Sequence, residues 1–225
     1  QARVGGMSER EERDYWRGIV RPIPRVASPL AEAGTQFHDW AERFVKAGMP
    51  DAAVMGESGG MTRATMLAEL DTQDRRLLDD ATKAKVATWC RRLADSPWAR
   101  RVPAWAERSV VVDVPGVGLV NGKFDAVFLG GCDPADRSKR FCVVDWKTGK
   151  RPMSSQDVER KLSQLDMYRL LLAAIEEVPL DSIDATLYYV SESDEGRREL
   201  HARAKTEQEI LAELSYGIPE QSDND

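Results

Sequence analysis

An apolar run that ends in an acid and a lysine is the most constraining feature of this chain. Residues 141–144 read FCVV and are followed by DWK at 145–147. Such a run is typical of a central strand that is buried on both faces. Because side chains alternate along a strand, we expect Asp145 and Lys147 to share a face while Trp146 points away. A carboxylate in that position costs several kcal/mol, roughly, unless a metal or another cation compensates its charge.

The hydrophobic periodicity along the chain predicts both strands and helices, and we expect an α/β fold with a mixed sheet of four to five strands flanked by helices. Period-two or continuous apolar patterns predict four strands, at residues 109–114, 119–129, 140–147 and 183–190. Apolar positions at helical spacing predict helices from residue 35 to a stop at Gly48, in the segment 62–95, and at 156–177 and 205–216.

The same reading predicts a single domain with additions. Residues 1–33 are charged and then proline-rich, which predicts an extended N-terminal arm. Residues 34–216 form the predicted domain, in which residues 62–95 are a helical insertion, and residues 217–225 are a polar, flexible tail. Because the chain begins with Gln1 and not with methionine, we expect it to be a piece of something larger.

Composition excludes several classes of protein. No apolar run approaches the roughly 20 residues that a membrane-spanning helix needs, so we expect no membrane partner. The three cysteines lack the even number and paired spacing of a disulfide framework, which favours a reducing, cytoplasmic location. They are also too few for a four-thiolate iron–sulfur site.

The net charge and the local charge lead to different expectations about nucleic-acid binding. A net charge of −6 argues against bulk electrostatic binding of nucleic acid by the isolated chain. Residues 137–161 nevertheless hold eight basic residues against three acids, which predicts a basic patch around the site. The eight are Arg137, Lys139, Arg140, Lys147, Lys150, Arg151, Arg160 and Lys161.

A second acid precedes the apolar run on the neighbouring predicted strand. Asp125 ends the segment Gly122-Lys123-Phe124-Asp125, twenty residues before Asp145. Two carboxylates and a lysine on adjacent strands are the groups needed to hold a divalent cation against a phosphate. The residues therefore predict a metal-dependent nuclease, and Glu107, beside the first strand, is a candidate for a further acid.

Each of these residues also has a plain structural interpretation. Asp125 can be an acid on an exposed strand face, and Asp145 with Lys147 can form a structural ion pair. His38 alone would more often be a histidine at the edge of a core, and Tyr168 a core tyrosine with its hydroxyl at the surface. The basic run can be a solvated face.

Two further motifs extend the pattern and carry a resemblance. Gly34-Thr35-Gln36-Phe37-His38 lies on the first predicted helix, and Gln164 and Tyr168 form a Q-x-x-x-Y motif on the helix after the D-x-K strand. In this order, over about residues 34–190, the motifs resemble the PD-(D/E)xK nuclease superfamily. More narrowly, the chain resembles the RecB-type nuclease domain of bacterial helicase-nucleases.

The resemblance implies a restriction-endonuclease-like core and roles for the motif residues. Asp125 and Asp145 would be the metal-binding carboxylates, with His38 and the carbonyl of Trp146 as further ligands. The metal would be Mg²⁺ or Mn²⁺, and an imidazole ligand favours Mn²⁺. Lys147 would orient the attacking water and stabilise the transition state, while Gln164 and Tyr168 would position the DNA backbone or the lysine.

The function implied is hydrolysis of DNA phosphodiester bonds, on single-stranded ends during double-strand break repair. A helicase motor in the same polypeptide or complex would deliver the DNA. One alternative is a catalytically silent DNA-binding or scaffold module of the same fold. Another is a restriction- or phage-type nuclease that acts alone.

Overall fold

The computed structural model describes residues 29–50, 62–70, 79–115 and 117–216. These residues contain five α-helices and five β-strands, numbered here in chain order. The helices are α1 (Pro29–Lys46), α2 (Arg63–Glu69), α3 (Asp80–Asp95), α4 (Ser155–Glu176) and α5 (Glu207–Tyr216). The strands are β1 (Pro103–Val114), β2 (Gly118–Leu129), β3 (Phe141–Lys147), β4 (Ile183–Tyr189) and β5 (Glu199–His201). Short 3-10 turns lie at Pro97–Arg100, Leu180–Ser182 and Glu195–Arg197.

The strands form one mixed sheet in the order β1-β2-β3-β4-β5. β1, β2 and β3 make an antiparallel meander, β4 is parallel to β3, and β5 is antiparallel to β4. A parallel pair needs a long crossover, which α4 supplies between β3 and β4. This confirms the predicted mixed sheet flanked by helices, with β3 at its centre.

β2 and β3 separate part of the way along their length. Their paired residues run from Leu129 and Phe141 to Ala126 and Val144, where the ladder stops. Beyond that point β3 continues beside β4 as far as Lys147, while β2 continues beside β1. In the same register the next two residues would be Asp125 and Asp145, so the gap opens between the two predicted acids.

Helices cover both faces of the sheet. On one face α1 and α3 pack against alternate residues of β3, and Phe37, Trp89 and Trp146 belong to that core. On the other face α4 packs against the remaining β3 residues, with Val143 and Leu165 both buried there. The central strand is therefore buried on both sides, as its apolar sequence predicts.

Several element boundaries differ from those predicted. Residues 29–33 belong to α1 and not to an extended arm, since a proline is tolerated in the first helical turn. β1 begins at Pro103 and not at Ser109, because strand pairing extends through the charged segment before Ser109. α5 begins after Thr206, whose backbone N–H donates to Glu209 Oε2 (2.8 Å) in a capping box.

The described part of the predicted helical insertion contributes to the main core. α2 and α3 both lie in residues 62–95, and the ring of Trp89 on α3 meets that of Phe37 edge to face, with 6.2 Å between the ring centroids. Residues 1–28 of the predicted arm, residues 71–78 of the insertion and the tail 217–225 lie outside the described residues. None of the helices described has both the length and the apolar composition to cross a bilayer.

α4 approaches β2 closely at Gly122. A Cβ at this position would lie 2.6 Å from Cδ1 of Leu171, which is fully buried. We expect Gly122→Ala to lower the free energy of unfolding by about 1–3 kcal/mol, because the core has no room for a methyl group. Urea denaturation followed by circular dichroism measures this.

Gly149→Ala is the matched control. Nothing lies within 4 Å of the Cβ position at Gly149, so this variant should stay within about 0.5 kcal/mol of the parent. Equal stability of the two alanine variants would contradict the close approach of α4 to β2.

Candidate functional site

The gap between β2 and β3 is bridged by a side chain. The backbone N–H of Trp146 lies beyond the paired part of β2 and β3 and donates to a side chain of β2, Oδ2 of Asp125 (2.9 Å). The N–H and C=O of one strand residue point to the same side, so the Trp146 carbonyl also faces β2. Asp125 and the Trp146 main chain, both predicted to bind metal, are therefore adjacent.

A histidine and a second acid surround Asp125. His38 Nδ1 lies 3.5 Å from Asp125 Oδ2 and 3.8 Å from Glu107 Oε1. Within the described ranges, His38, Glu107 and Asp125 are the only group of three or more possible ligands whose atoms all lie within 4.8 Å of one another. Glu107 also forms an ion pair with Lys123.

Glu107 has an unusual backbone conformation. It lies between the β1 residues that pair with Ala126 and Phe124, which places it across from Asp125, and its φ is +46°. A left-handed conformation in the middle of a strand is strained for a residue other than glycine, and such strain is concentrated at functional sites. The side chain is only 7% exposed, so it is directed into the protein beside His38.

The local sequence of α1 explains how His38 reaches this point. Phe37 is fully buried in the core beneath the helix, which fixes the rotation of α1. A Cβ at Gly34 would lie 3.3 Å from Thr148 Oγ1, just after β3, so glycine allows the helix to come close there. The motif from Gly34 to His38 therefore contains a residue that lets the helix approach β3, a residue buried in the core and a candidate metal ligand.

The second half of the site lies on the α4 side of β3. Lys147 Nζ is 2.6 Å from Asp145 Oδ2, which confirms that the two side chains share a face. Gln164 accepts a hydrogen bond from Lys147 (3.2 Å), and its amide nitrogen donates to Asp145 (3.4 Å) and to the Tyr168 hydroxyl (2.9 Å). Gln164 therefore holds the acid, the lysine and the tyrosine in one network.

Burial and mutual repulsion dominate the electrostatics of the acids. Burial, followed by the negative charge of Asp145, raises the pKa of Asp125 to about 7. Burial also acts to raise the pKa of Glu107, but hydrogen bonds from His38 and Lys123 hold it below its ordinary value. With a pKa of about 7, Asp125 is only partly ionised at neutral pH.

The negative charge of Asp145 also acts to raise the pKa values of His38 and Tyr168. Burial acts to lower the pKa of His38, but the hydrogen bond to Glu107 and the charges of Asp125 and Asp145 raise it overall. Burial and then the charge of Asp145 raise the pKa of Tyr168, so its phenol stays neutral and keeps its proton. The negative charge of the site therefore favours the protonated forms of both side chains.

These observations fit a divalent cation. Carboxylate oxygens are hard ligands suited to Mg²⁺ or Mn²⁺, and an imidazole is compatible with Mn²⁺. Asp145 is only 4% exposed, and its negative charge raises the pKa of Asp125. A cation bound by the carboxylates would offset both the burial and the repulsion.

An open cleft gives access to the His38 side of the site. It has a volume of about 450 Å³ and is bordered by α1 and β2, with His38, Glu107, Lys123 and Asp125 in its wall. Large clefts with converging polar groups are the usual location of binding sites.

The predicted basic patch is divided in two. Lys139 lies 3.1 Å from Asp184, near the start of β3, and Arg137 and Arg140 flank it in sequence. The seven residues of β3 put that end about 20 Å from Lys147. The prediction that these three residues surround the site is therefore wrong.

The other part of the basic run lies on the site side of β3. Burial, followed by the charge of Lys147, lowers the pKa of Lys161, so the two ammonium groups are near each other. Arg160 forms an ion pair with Asp157 in the first turns of α4 (3.4 Å).

The predicted site residues come from elements far apart in sequence and form two groups, and Asp145 lies with Lys147 and not in the group of close ligand atoms around Asp125. His38 comes from α1, Asp125 from β2, Asp145 and Lys147 from β3, and Gln164 with Tyr168 from α4. Glu107 was only a secondary candidate from the sequence, because its position beside a strand did not indicate its backbone conformation.

Comparison with known proteins adds a family to this geometry. A search of curated proteins found no match. The family model described as the PD-(D/E)XK nuclease superfamily matches residues 13–223. Because this match covers nearly all of the 225 residues, and the mixed sheet has the restriction-endonuclease-like form, the chain belongs to the PD-(D/E)XK nuclease superfamily.

Proposed function

We propose that this chain is a metal-dependent deoxyribonuclease that hydrolyses phosphodiester bonds in DNA. The observation that carries the proposal is the contact of Asp125 with the main chain of Trp146, the residue between Asp145 and Lys147, where β2 and β3 separate. Membership of a nuclease superfamily supports the reaction class. The hydrogen bond from Trp146 to Asp125 and the ion pair of Lys147 with Asp145 support the assignment of these residues.

The residues that would hold the cation are Asp125, Asp145, His38 and the carbonyl of Trp146, with Glu107 as an additional carboxylate. A bound Mg²⁺ or Mn²⁺ favours ionisation of a water molecule and offsets charge on the phosphate oxygens. Glu107 is included because it lies 3.8 Å from His38 and completes the group of close ligand atoms.

Lys147 is the catalytic cation of the chain itself. Its ammonium group has three donors, and Asp145 and Gln164 hold it at the edge of the gap. From there it orients the attacking water and stabilises negative charge that develops on the phosphate. A compact ammonium suits this role better than a planar guanidinium, which is bulkier.

Gln164 and Tyr168 act as positioning residues. The amide of Gln164 is fixed by three polar neighbours, so it sets the direction of the Lys147 side chain. Tyr168 accepts from Gln164 and keeps its own proton, which leaves its hydroxyl as a donor for a DNA phosphate oxygen.

The natural substrate in this proposal is a single-stranded end formed during double-strand break repair. A RecB-type helicase motor, in the same polypeptide or complex, delivers it. The net charge of −6 supports dependence on such delivery, because the chain has no general excess of positive charge for capturing DNA. Three cysteines outside any disulfide support a reducing, cytoplasmic location.

Asp145→Asn should reduce cleavage of labelled single-stranded DNA by at least about 100-fold, because it removes a buried carboxylate of the cation site. The assay compares Mg²⁺, Mn²⁺ and chelator on linear and circular strands. Asp113→Asn is the control, since Asp113 is an exposed aspartate on β1. Unchanged cleavage by a folded Asp145 variant would contradict the proposal, and absence of cleavage by the parent would favour the silent module.

Lys147→Met should lower the turnover rate by about 10²–10³-fold, in the range found for loss of one transition-state donor. The affinity for Mn²⁺ should not fall, because the variant removes a positive charge from the site. Single-turnover cleavage and calorimetric metal titration measure the two effects. Lys83→Met, at a surface lysine paired with Asp80 (3.4 Å), is the control. A parallel loss of metal affinity would assign Lys147 a structural role.

His38→Ala should weaken Mn²⁺ binding by at least about tenfold. The loss for Mg²⁺ should be smaller, because imidazole is a better ligand for Mn²⁺. His201→Ala is the matched control, as the chain has only two histidines and His201 lies on β5. Identical titrations of the His38 variant and the parent would exclude His38 as a ligand.

A further inference from the structure

Two cysteines face each other outside the acid–lysine site. Cys142, the second residue of β3, is fully buried, and Cys132 is half-buried in the connection between β2 and β3. Their Sγ atoms are 3.4 Å apart and are not bonded. A disulfide has an S–S distance of about 2.05 Å, so the sulfurs need to approach by only about 1.4 Å.

A histidine lies against the more accessible of the two thiols. His201 is close enough to Cys132 for the two side chains to interact, which raises the pKa of His201 and contributes to lowering the pKa of Cys132. His201 Nε2 is also 3.3 Å from Glu199 Oε2, and Glu199 accepts a hydrogen bond from Trp98 (2.8 Å). The imidazole is therefore held in place beside Cys132.

The polar groups around the pair come from several elements. Asp184 on β4 accepts a hydrogen bond from the Cys132 backbone N–H (2.8 Å). Arg101, before β1, donates to the carbonyl of Cys132 (2.9 Å) and its charge acts on Cys142. Lys139 lies 3.1 Å from Asp184. Together with His201 and Glu199, these are the charged groups that face the thiols.

The two thiols differ in acidity. The hydrogen bond from Cys142 and then that from His201 lower the pKa of Cys132 to about 6, against the effect of burial. Burial, followed by the interaction with Cys132, raises the pKa of Cys142 well above its ordinary value. The hydrogen bond to Cys132 raises the pKa of His201. Its greater exposure and its lowered pKa make Cys132 the more reactive of the two thiols.

We propose that Cys132 and Cys142 form a redox modification site, in which Cys132 reacts with hydrogen peroxide and Cys142 resolves the product into a disulfide. The proposal rests on the contact of the sulfurs, the histidine beside Cys132 and the different exposure of the two thiols. It does not depend on the nuclease function.

The chemistry balances in two steps. The Cys132 thiolate attacks one peroxide oxygen, the O–O bond breaks, and the departing hydroxide takes a proton to become water. Cys132 is then a sulfenic acid, oxidised by two electrons while the peroxide is reduced. The Cys142 sulfur attacks the Cys132 sulfur, the S–O bond breaks, and the hydroxyl leaves as water with the Cys142 proton. Two thiols and one peroxide give one disulfide and two waters.

Metal binding is a weaker explanation for this cluster. Among the described residues, the thiols do not belong to a group of three ligand atoms within 4.8 Å of one another. A structural zinc site needs four close ligands, typically thiolates and imidazoles.

The test treats the folded chain with hydrogen peroxide, alkylates the remaining thiols and analyses its peptides by mass spectrometry. We expect a peptide pair linked through Cys132 and Cys142, reversed by a dithiol reductant, with Cys90 still available for alkylation after unfolding. Recovery of all three alkylated cysteines, or a linkage through Cys90, would overturn the proposal. Cys90→Ala is the control and should give the same linked pair.

Single variants separate the two roles. In the Cys142→Ser variant, oxidation by peroxide should stop at a sulfenic acid on Cys132, which dimedone traps. In the Cys132→Ser variant, Cys142 should stay reduced. At pH 7 the parent should alkylate at Cys132 at least about tenfold faster than at either other cysteine. Its rate should have a midpoint near pH 6, and His201→Gln should raise that midpoint. If Cys142 were oxidised in the Cys132→Ser variant as readily as in the parent, Cys132 could not be the thiol that reacts first with peroxide.

Discussion

The site depends on the point where the β2–β3 ladder ends. Beyond Ala126 and Val144 the two strands separate, so the Trp146 N–H lies past the paired part of the ladder. A buried N–H must find a partner, and the carboxylate of Asp125 supplies one. One hydrogen bond therefore completes the sheet locally and fixes an acid beside the main chain of β3. The same separation leaves room for side chains from both faces to meet.

Placing several buried carboxylates near one another is electrostatically unfavourable. Burial and then the charge of Asp145 raise the pKa of Asp125, and Glu107 adds a third carboxylate nearby. Lys147 and Lys123 offset part of this charge, each through an ion pair with one acid. His38 gains proton affinity from the same negative field. Because the pKa values of Asp125 and His38 are both raised, proton binding at the site would compete with the binding of a divalent metal.

The sequence predicted the parts of this site that depend on periodicity. Alternation along β3 placed Asp145 and Lys147 together, and helical spacing placed Gln164 and Tyr168 on one face of α4. Sequence could not predict the positive φ of Glu107, because strain in a non-glycine residue is imposed by its surroundings. It also misplaced the basic run, since residues close in sequence lie at opposite ends of β3. The start of α1 was missed because proline, read as extended, is also tolerated in a first helical turn.

The energetics of the buried acids favour an enzyme over a silent module. Asp145 is 4% exposed and the Glu107 side chain 7%, so both lose most of their hydration. Replacing buried ionic groups by apolar residues of similar size is often neutral or stabilising. A module used only as a scaffold would gain stability from such replacements and would have no need for the strained backbone at Glu107. Three converging acids with a fixed lysine are therefore better explained by a function that uses their charge.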